Sequence, residues 1–276
     1  TGLSFAGFSL DLAKAEAFSP NWVAQGALDL RQKAEAANVN DSTAGNFREI
    51  LETPGEVDYV VINLGHGKEW LASRLYIMSI IFENRKGIKG IVFLESTKDT
   101  RKKYIGWAEP QKVRWAFANQ FPWFEKAYSE AYSLILDQGA KIVNHKGRLG
   151  YSYDPNSSSS SITLLENFLK KIQSPPENPP VTEEEKEWVN LPSGHLNPTN
   201  TQEHTSWLDA ESLETLLDKV LITGTINPGK QSSEEIEKQV KKALISAQQF
   251  IAVVNEEKQF SYLVKQEKLL KQLMKG

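Results

Sequence analysis

The chain contains no cysteine. That removes disulfides, thiolate metal ligands and every cysteine nucleophile at once, while saying little about compartment. No stretch approaches the ~20 consecutive apolar residues of a membrane helix. The greasiest run, residues 75–82, is short and interrupted by Ser79, so no membrane association is expected. Neither sign of charge dominates: the net charge is −3, and a nucleic-acid reading needs a local patch. No charged segment followed by an apolar one leads the sequence, so no signal peptide is expected. The sequence opens on Thr1 rather than methionine, so a processed or trimmed start is expected. The expected location is the cytoplasm.

What is present suits a folded protein. At 276 residues, 40% of them apolar and 24% charged, the chain is long enough for at least one sizeable core and about two domains.

Residues 1–50 read as helical, with Ser19-Pro20 as N-cap and first-turn proline of a helix carrying Trp22, Val23, Leu28 and Leu30. A short helix is expected at 47–51. The clearest unit follows. Residues 57–64 form a nearly continuous β-branched run, the mark of a strand buried on both faces. Gly65-His66-Gly67 breaks it, and residues 69–85 place Trp70, Leu71, Leu75, Met78, Ile81 and Phe82 at helical spacing. Lys86-Gly87 closes that helix, and residues 88–94 are a second apolar strand. Strand, helix and strand in this order make a βαβ unit, expected to be parallel with a right-handed crossover.

Further on, a strand is expected at 104–107, helices at 111–119 and 123–136 split by Phe121-Pro122, and short strands at 140–143 and 149–153. The serines 157–161, a short helix at 162–172 and the proline-rich run 174–180 read as a connection. The expected organisation is an α/β domain over 1–153, a Ser/Pro-rich linker over 154–180 and a smaller α+β domain over 181–276. The last carries helices at 210–220 and 233–245, a strand near 221–226 and a hairpin from 250 to 264.

The turn Gly65-His66-Gly67-Lys68 is the principal candidate site. Glycines let backbone amides approach a ligand, and a helix N-terminus adds free N–H groups and partial positive charge. In a doubly wound sheet the C-terminal ends of both strands open onto one edge, which makes Glu95 and Ser96 expected neighbours of this turn. The pattern reads as a site for a small phosphorylated, nucleotide-like ligand. Gly65 and Gly67 expose amides, Lys68 and Arg74 neutralise phosphate, Ser73 donates a hydrogen bond and Glu95 holds a hydroxyl. The dinucleotide fingerprint is incomplete, because Trp70 stands where G-x-G-x-x-G needs its third glycine. The alternative is a tight turn whose glycines serve geometry alone.

Other constellations carry less. The strand end 63–67 is faintly similar to the histidine-bearing strand end of caspase-like proteases, but without a cysteine an active member is excluded. No G-x-S-x-G elbow occurs. His195, Glu203 and His204 lie in a polar stretch without H-E-x-x-H or i, i+4 spacing, so no metal is expected. From Arg85 to Arg114 nine basic residues face three acidic ones, accompanied by Trp107, Trp115, Phe121 and Trp123. Basic side chains with aromatics can hold phosphates and stacked bases. Core packing and a solvated loop are nevertheless their expected use, and nucleic acid is not an expected partner.

The segment Ile251-Ala252-Val253-Val254-Asn255-Glu256-Glu257-Lys258-Gln259-Phe260-Ser261-Tyr262-Leu263-Val264 resembles the end of a CBS (cystathionine β-synthase-like) module. In that family a hydrophobic hairpin, turning on an acidic-glycine sequence, feeds a helix. The resemblance spans residues 220–273 and implies packing or regulation rather than an adenosine-type site. Lys258 replaces the turn glycine, residues 265–268 lack the aspartate that contacts ribose in many members, and no convincing second copy is visible.

These readings converge on an α/β fold with a short, mainly parallel sheet plus a smaller α+β domain. The expected function is a soluble sensing or regulatory protein that binds a small phosphorylated ligand at residues 65–68, with protein partners and no identified cofactor. Two alternatives stay open: an enzyme at the same edge, with His66 as acid/base and Glu95 as its partner, and a ligand-free interaction scaffold. Fold alone does not separate the three.

Overall fold

The computed structural model describes residues 2–5, 8–11, 34–36, 58–84, 88–96, 102–139, 142–145, 148–151, 158–173, 188–191, 201–229, 235, 238–240, 242–243 and 248–267. Within them the chain is a mixed α/β fold of small sheets and helices. It divides into two compact units, one of residues 33–92 and 108–221, the other of residues 1–32, 93–107 and 222–276. This partition differs from sequential domains meeting at a linker over 154–180.

In the larger unit, β3 (Ala34–Ala36) pairs in parallel with β4 (Tyr59–Asn63), Ala34 opposite Val60 and Ala36 opposite Ile62. Tyr59 to Ile62 are all buried, as a β-branched run in an interior strand should be. β6 (Gly90–Glu95), which neighbours β4, begins in this unit. Between them come β5 (Trp70–Leu71) and helix α1 (Ala72–Asn84). The helix was expected from residue 69. Instead, Trp70 and Leu71 pair antiparallel with β12 (Trp207–Leu208), and the Ala72 N–H donates to the Ser206 carbonyl at 2.9 Å. The long-range ladder therefore takes the first residues of the expected helix. α1 is buried from Ala72 to Phe82, Ser73, Arg74 and Ser79 included. It is a core helix surrounded on all sides rather than an amphipathic surface one.

Helices α2 (Pro110–Gln120) and α3 (Pro122–Gly139) are separated by Phe121, close to the expected bounds. Both begin on proline, whose missing N–H costs no helical bond there. α2 buries Pro110, Val113 and Phe117, and α3 buries Phe124, Ala127, Ala131 and Ile135, each a stripe of helical period. α4 (Ser158–Gln173) packs on α3 through a stripe that includes Leu165, Phe168 and Leu169. Tyr76, Phe124 and Phe168 close an aromatic triangle, with centroids 5.2, 5.6 and 6.3 Å apart, that ties α1, α3 and α4 together.

Two hairpins belong to the same unit: β8 (Ile142–His145) with β9 (Arg148–Tyr151), and β10 (Trp188–Leu191) with β11 (Thr201–His204). The second forms in a stretch that reads only as polar. Helix α5 (Ala210–Leu216) follows β12 and ends in a turn over 217–220. Asp209 and Ser212 start it with a reciprocal capping box.

The smaller unit corrects the helical reading of residues 1–50. β1 (Gly2–Phe5) and β2 (Phe8–Asp11) form an antiparallel hairpin, with Leu3 opposite Leu10 and Phe5 opposite Phe8. Leu3 and Phe5, then Phe8 and Leu10, alternate at the strand period of two. β3 also falls within that stretch, whereas the helix expected to start at Ser19-Pro20 and the one expected at 47–51 lie outside the described residues. β6 runs on into this unit and neighbours β7 (Lys103–Ala108). Trp107 exchanges two backbone hydrogen bonds with Ile222, at 3.0 and 2.8 Å, and Trp107 meets Phe250 edge-on at 5.5 Å.

β13 (Thr225–Ile226) pairs in parallel with the fully buried β14 (Phe250–Val254), which pairs antiparallel with β15 (Phe260–Lys265). The turn of this hairpin is organised by Asn255, whose Oδ1 accepts from the Glu257 and Gln259 amides at 3.0 and 2.8 Å. Lys258 sits at φ 59°, the left-handed region that favours glycine. Of the helix expected at 233–245, residues 235, 238–240 and 242–243 are helical, and the others lie outside the described residues. No helix among the described residues is long and apolar enough to cross a membrane.

Candidate functional site

At the end of β4 the Asn63 Oδ1 accepts from the Gly65 N–H at 3.0 Å, and the Gly67 N–H donates to the Leu64 carbonyl at 3.2 Å. Gly65 has φ +58° and Gly67 φ +85°, conformations glycine adopts without strain. The glycines shape a tight turn, and both amides expected to face a ligand are engaged inside it. The Glu69 carboxylate lies where a Cβ on Gly65 would point, placing negative charge on that side. His66 and Lys68 are exposed.

Ser73 and Arg74, expected beside the turn as ligand groups, lie in the interior. Ser73 Oγ donates to Glu203 Oε2 at 3.0 Å. Arg74 Nε donates to the same oxygen at 3.2 Å, and its Nη2 to Glu203 Oε1. Gln173 adds a donor to Oε1 at 3.3 Å. The Ser73 N–H donates to Thr205 Oγ1 at 2.9 Å, and that of Ala72 to Ser206, so the first two amides of α1 are both engaged. The anion at this helix start is the protein's own Glu203, held by a two-pronged charge-assisted contact. Ser73 and Arg74 are both engaged with Glu203.

Glu95 and Ser96 belong to the other unit and are engaged there. Glu95 pairs with Lys103 at 3.2 Å, and Ser96 Oγ accepts from the Lys102 N–H at 3.2 Å. Other cations of the basic stretch are matched as well: Lys112 to Glu109 at 3.0 Å and Arg114 to both oxygens of Glu125 at 2.9 and 3.1 Å. Of the polar trio 195, 203 and 204, His195 lies outside the described residues. Among the described residues no group of three His, Asp or Glu is placed to hold a metal.

A concavity lies elsewhere in the larger unit. A cleft of about 1260 Å³ is walled by α2 and the start of α3 on one side and by β12 and α5 on the other. Trp115 lines it and is 56% exposed. Residues 113 and 117 of α2 define its buried face, so position 115 falls opposite them. Trp123 lines the same cleft with its orientation fixed. Its ring stacks on His204 at 4.4 Å and 8°, and its Nε1 donates to the His204 carbonyl at 3.0 Å. Phe121 and Phe124 meet it edge-on at 5.3 and 5.5 Å. Trp207 adds a third indole, half-buried on β12.

Across the cleft, Asp209 accepts from the Ser212 amide at 2.8 Å and from the Ser212 hydroxyl at 2.7 Å. Those bonds hold its carboxyl below the usual aspartate range. Gly67 stands directly behind Asp209: a Cβ on Gly67 would lie 2.9 Å from the Asp209 Cβ. The glycine turn singled out in the sequence thus buttresses a cleft residue.

Trp115, Phe121 and Trp123 are visible in the sequence only as aromatics accompanying a basic run. Their meeting with Trp207 depends on the β5–β12 ladder, which no local pattern encodes. The one local signal is Trp115 itself, a large aromatic on the face of α2 opposite Val113 and Phe117. No protein-family model, curated protein or solved structure matches the chain.

Proposed function

We propose that the chain is a ligand-binding protein with a sensing or regulatory role, and that its site is the cleft beside Trp115. The observation that carries this reading is the exposure of Trp115 on the wall of a concavity that two further indoles share. Large exposed apolar side chains gathered in a concave, mixed polar surface are what ligand sites are made of. The pinned ring of Trp123 supports it, since a fixed aromatic surface loses little freedom when a ligand arrives.

A second reading keeps a small phosphorylated ligand at the Gly65–Lys68 turn. In its favour, His66 and Lys68 are exposed beside two left-handed glycines. Against it stand the Glu69 carboxylate and the engaged amides. For the enzymatic alternative, Glu95 already has its own partner in Lys103.

The finer fold reading, a mainly parallel sheet, is supported by the parallel pairing of β3 with β4 and the order β4-α1-β6. A packing or regulatory role for residues 220–273, as the CBS resemblance implies, is supported by the buried β14–β15 hairpin.

Saturation-transfer NMR with a library of small polar and aromatic fragments tests the cleft. Fragments that bind the wild type should be lost together in Trp115→Ala and retained in Lys68→Ala. Binding that survives Trp115→Ala and disappears in Lys68→Ala would move the site to the turn. A library in which nothing binds would leave the scaffold reading.

A further inference from the structure

We infer that the ligand of this cleft is a neutral, hydroxyl-rich chain, an oligosaccharide, an inference that rests on the cleft being the binding site. Charge is the first argument. Asp209, Glu211 and Asp218 line the cleft against two cations, Lys112 and Lys219. Lys112 is already paired with Glu109 at 3.0 Å. A phosphate or a polyanion would meet more negative than positive charge here, so the phosphorylated ligand expected from the sequence does not suit this site. Asp209 is tied through Oδ1 to the start of α5 by Ser212, so part of this acidic charge serves the helix cap.

The polar groups supply the second argument. Asn119 and Gln120, both exposed at the end of α2, each carry an amide donor and an amide acceptor. Ser206 adds a hydroxyl, and Thr215, whose hydroxyl donates to the Glu211 carbonyl at 2.9 Å, adds an acceptor. Such a set matches a ligand that itself offers donors and acceptors in pairs, as vicinal hydroxyls do. A ligand bearing a single fixed charge would use little of it.

The aromatic surface is the third. Trp115, Trp123 and Trp207 give the cleft three indoles, each an apolar plate with a polar edge. The C–H face of a pyranose ring is an apolar plate ringed by hydroxyls, and it fits an indole beside amides. Size completes the argument. At about 1260 Å³ the cleft exceeds the ~300–1,000 Å³ of ordinary small-molecule pockets, room for several linked sugars rather than one. A proline-rich peptide also docks on aromatic grooves, but its side chains would leave the carboxylates and paired amides of this cleft largely unused.

The test is isothermal titration of the full chain with malto-, cello-, xylo- and chito-tetraose, each beside its monosaccharide, with a proline-rich decapeptide and ADP as probes of the competing classes. At least one tetraose should bind, about tenfold more tightly than its monosaccharide. Trp115→Ala should weaken that tetraose by about tenfold, the scale of one aromatic contact. Trp115 is 56% exposed, so its removal leaves the fold intact, and Asn119→Ala provides a second variant on the polar side.

Binding of the peptide or of ADP that depends on Trp115, with no tetraose binding, would overturn the saccharide class and leave the cleft standing. A tetraose bound equally well by wild type, Trp115→Ala and Asn119→Ala would overturn the placement in the cleft. No heat from any tetraose at about 10 mM, far above useful affinity for a ligand of that size, would overturn the saccharide inference, while the fragment experiment judges the cleft separately.

Discussion

Arg74 and Glu203, 129 positions apart in the chain, form a two-pronged ion pair whose side chains are 1% and 0% exposed. Breaking such a pair from one side leaves an uncompensated buried charge. Glu203→Ala should therefore destabilise the protein by about 3–5 kcal/mol in urea denaturation. Among the described residues Arg74 Nη1 has no hydrogen-bond partner, so the pair is imperfectly compensated there. The double change Arg74→Met, Glu203→Leu should accordingly cost far less than Glu203→Ala alone. A loss below about 1 kcal/mol for Glu203→Ala, the scale of a surface pair, would show that the pair is not buried as described.

Gly67 and Lys68 separate backbone geometry from charge at the glycine turn. Gly67 has φ +85°, and a side chain there also presses on Asp209. Gly67→Ala should cost about 1–2 kcal/mol from the left-handed backbone alone. Lys68→Ala, at an exposed position, should stay within about 0.5 kcal/mol. Chemical denaturation of both variants decides it, and equal losses would contradict the assignment.

Lys258 invites the opposite change. It holds φ 59° at the tip of the β14–β15 hairpin, where a β-carbon is strained. Lys258→Gly relieves about 1–2 kcal/mol of strain and returns part of it as unfolded-state entropy, for a net gain of roughly 0.5–1 kcal/mol in urea midpoint analysis. A destabilised variant would mean that this residue is not in the left-handed region.

The Asp209 carboxyl is held below its ordinary 3.8 by the hydroxyl and amide of Ser212. Because the folded value is depressed, its stabilisation is complete above pH 3.8 and is lost as pH falls through the lower folded value. Asn caps helices about as well as Asp, so Asp209→Asn should match the wild type at neutral pH. The stability of the wild type relative to this variant should then fall as solutions are acidified below that range. A relative stability that does not change with pH would refute the capping bond.

Much of the larger unit is readable along the chain because its signals are local. The β-branched run into β4, the prolines opening α2 and α3, and the 3.6-residue stripes of those helices each announce themselves within a few residues. Helix α1 shows the limit. Its apolar spacing is visible, but its start is displaced to Ala72 by a ladder to Trp207 and Leu208, far away in sequence. Ser73 and Arg74 illustrate the same limit at the site. Next to a glycine turn they read as phosphate ligands, and only the fold brings Glu203 to claim them. The N-terminal hairpin is hidden for a different reason: four-residue strands such as β1 and β2 are too short for their alternation to outweigh nearby helical spacing.

The cleft is the central claim, and the indole N–H resonances of the seven tryptophans test it most directly. Each is assigned by a Trp→Phe variant and followed in a ¹H–¹⁵N spectrum as a bound fragment or tetraose is added. The account predicts that the signals of Trp115, Trp123 and Trp207 move together along one saturation curve, while those of Trp70 and Trp107, both buried away from solvent, stay in place. Saturable shifts confined to other tryptophans, with these three unmoved, would contradict it.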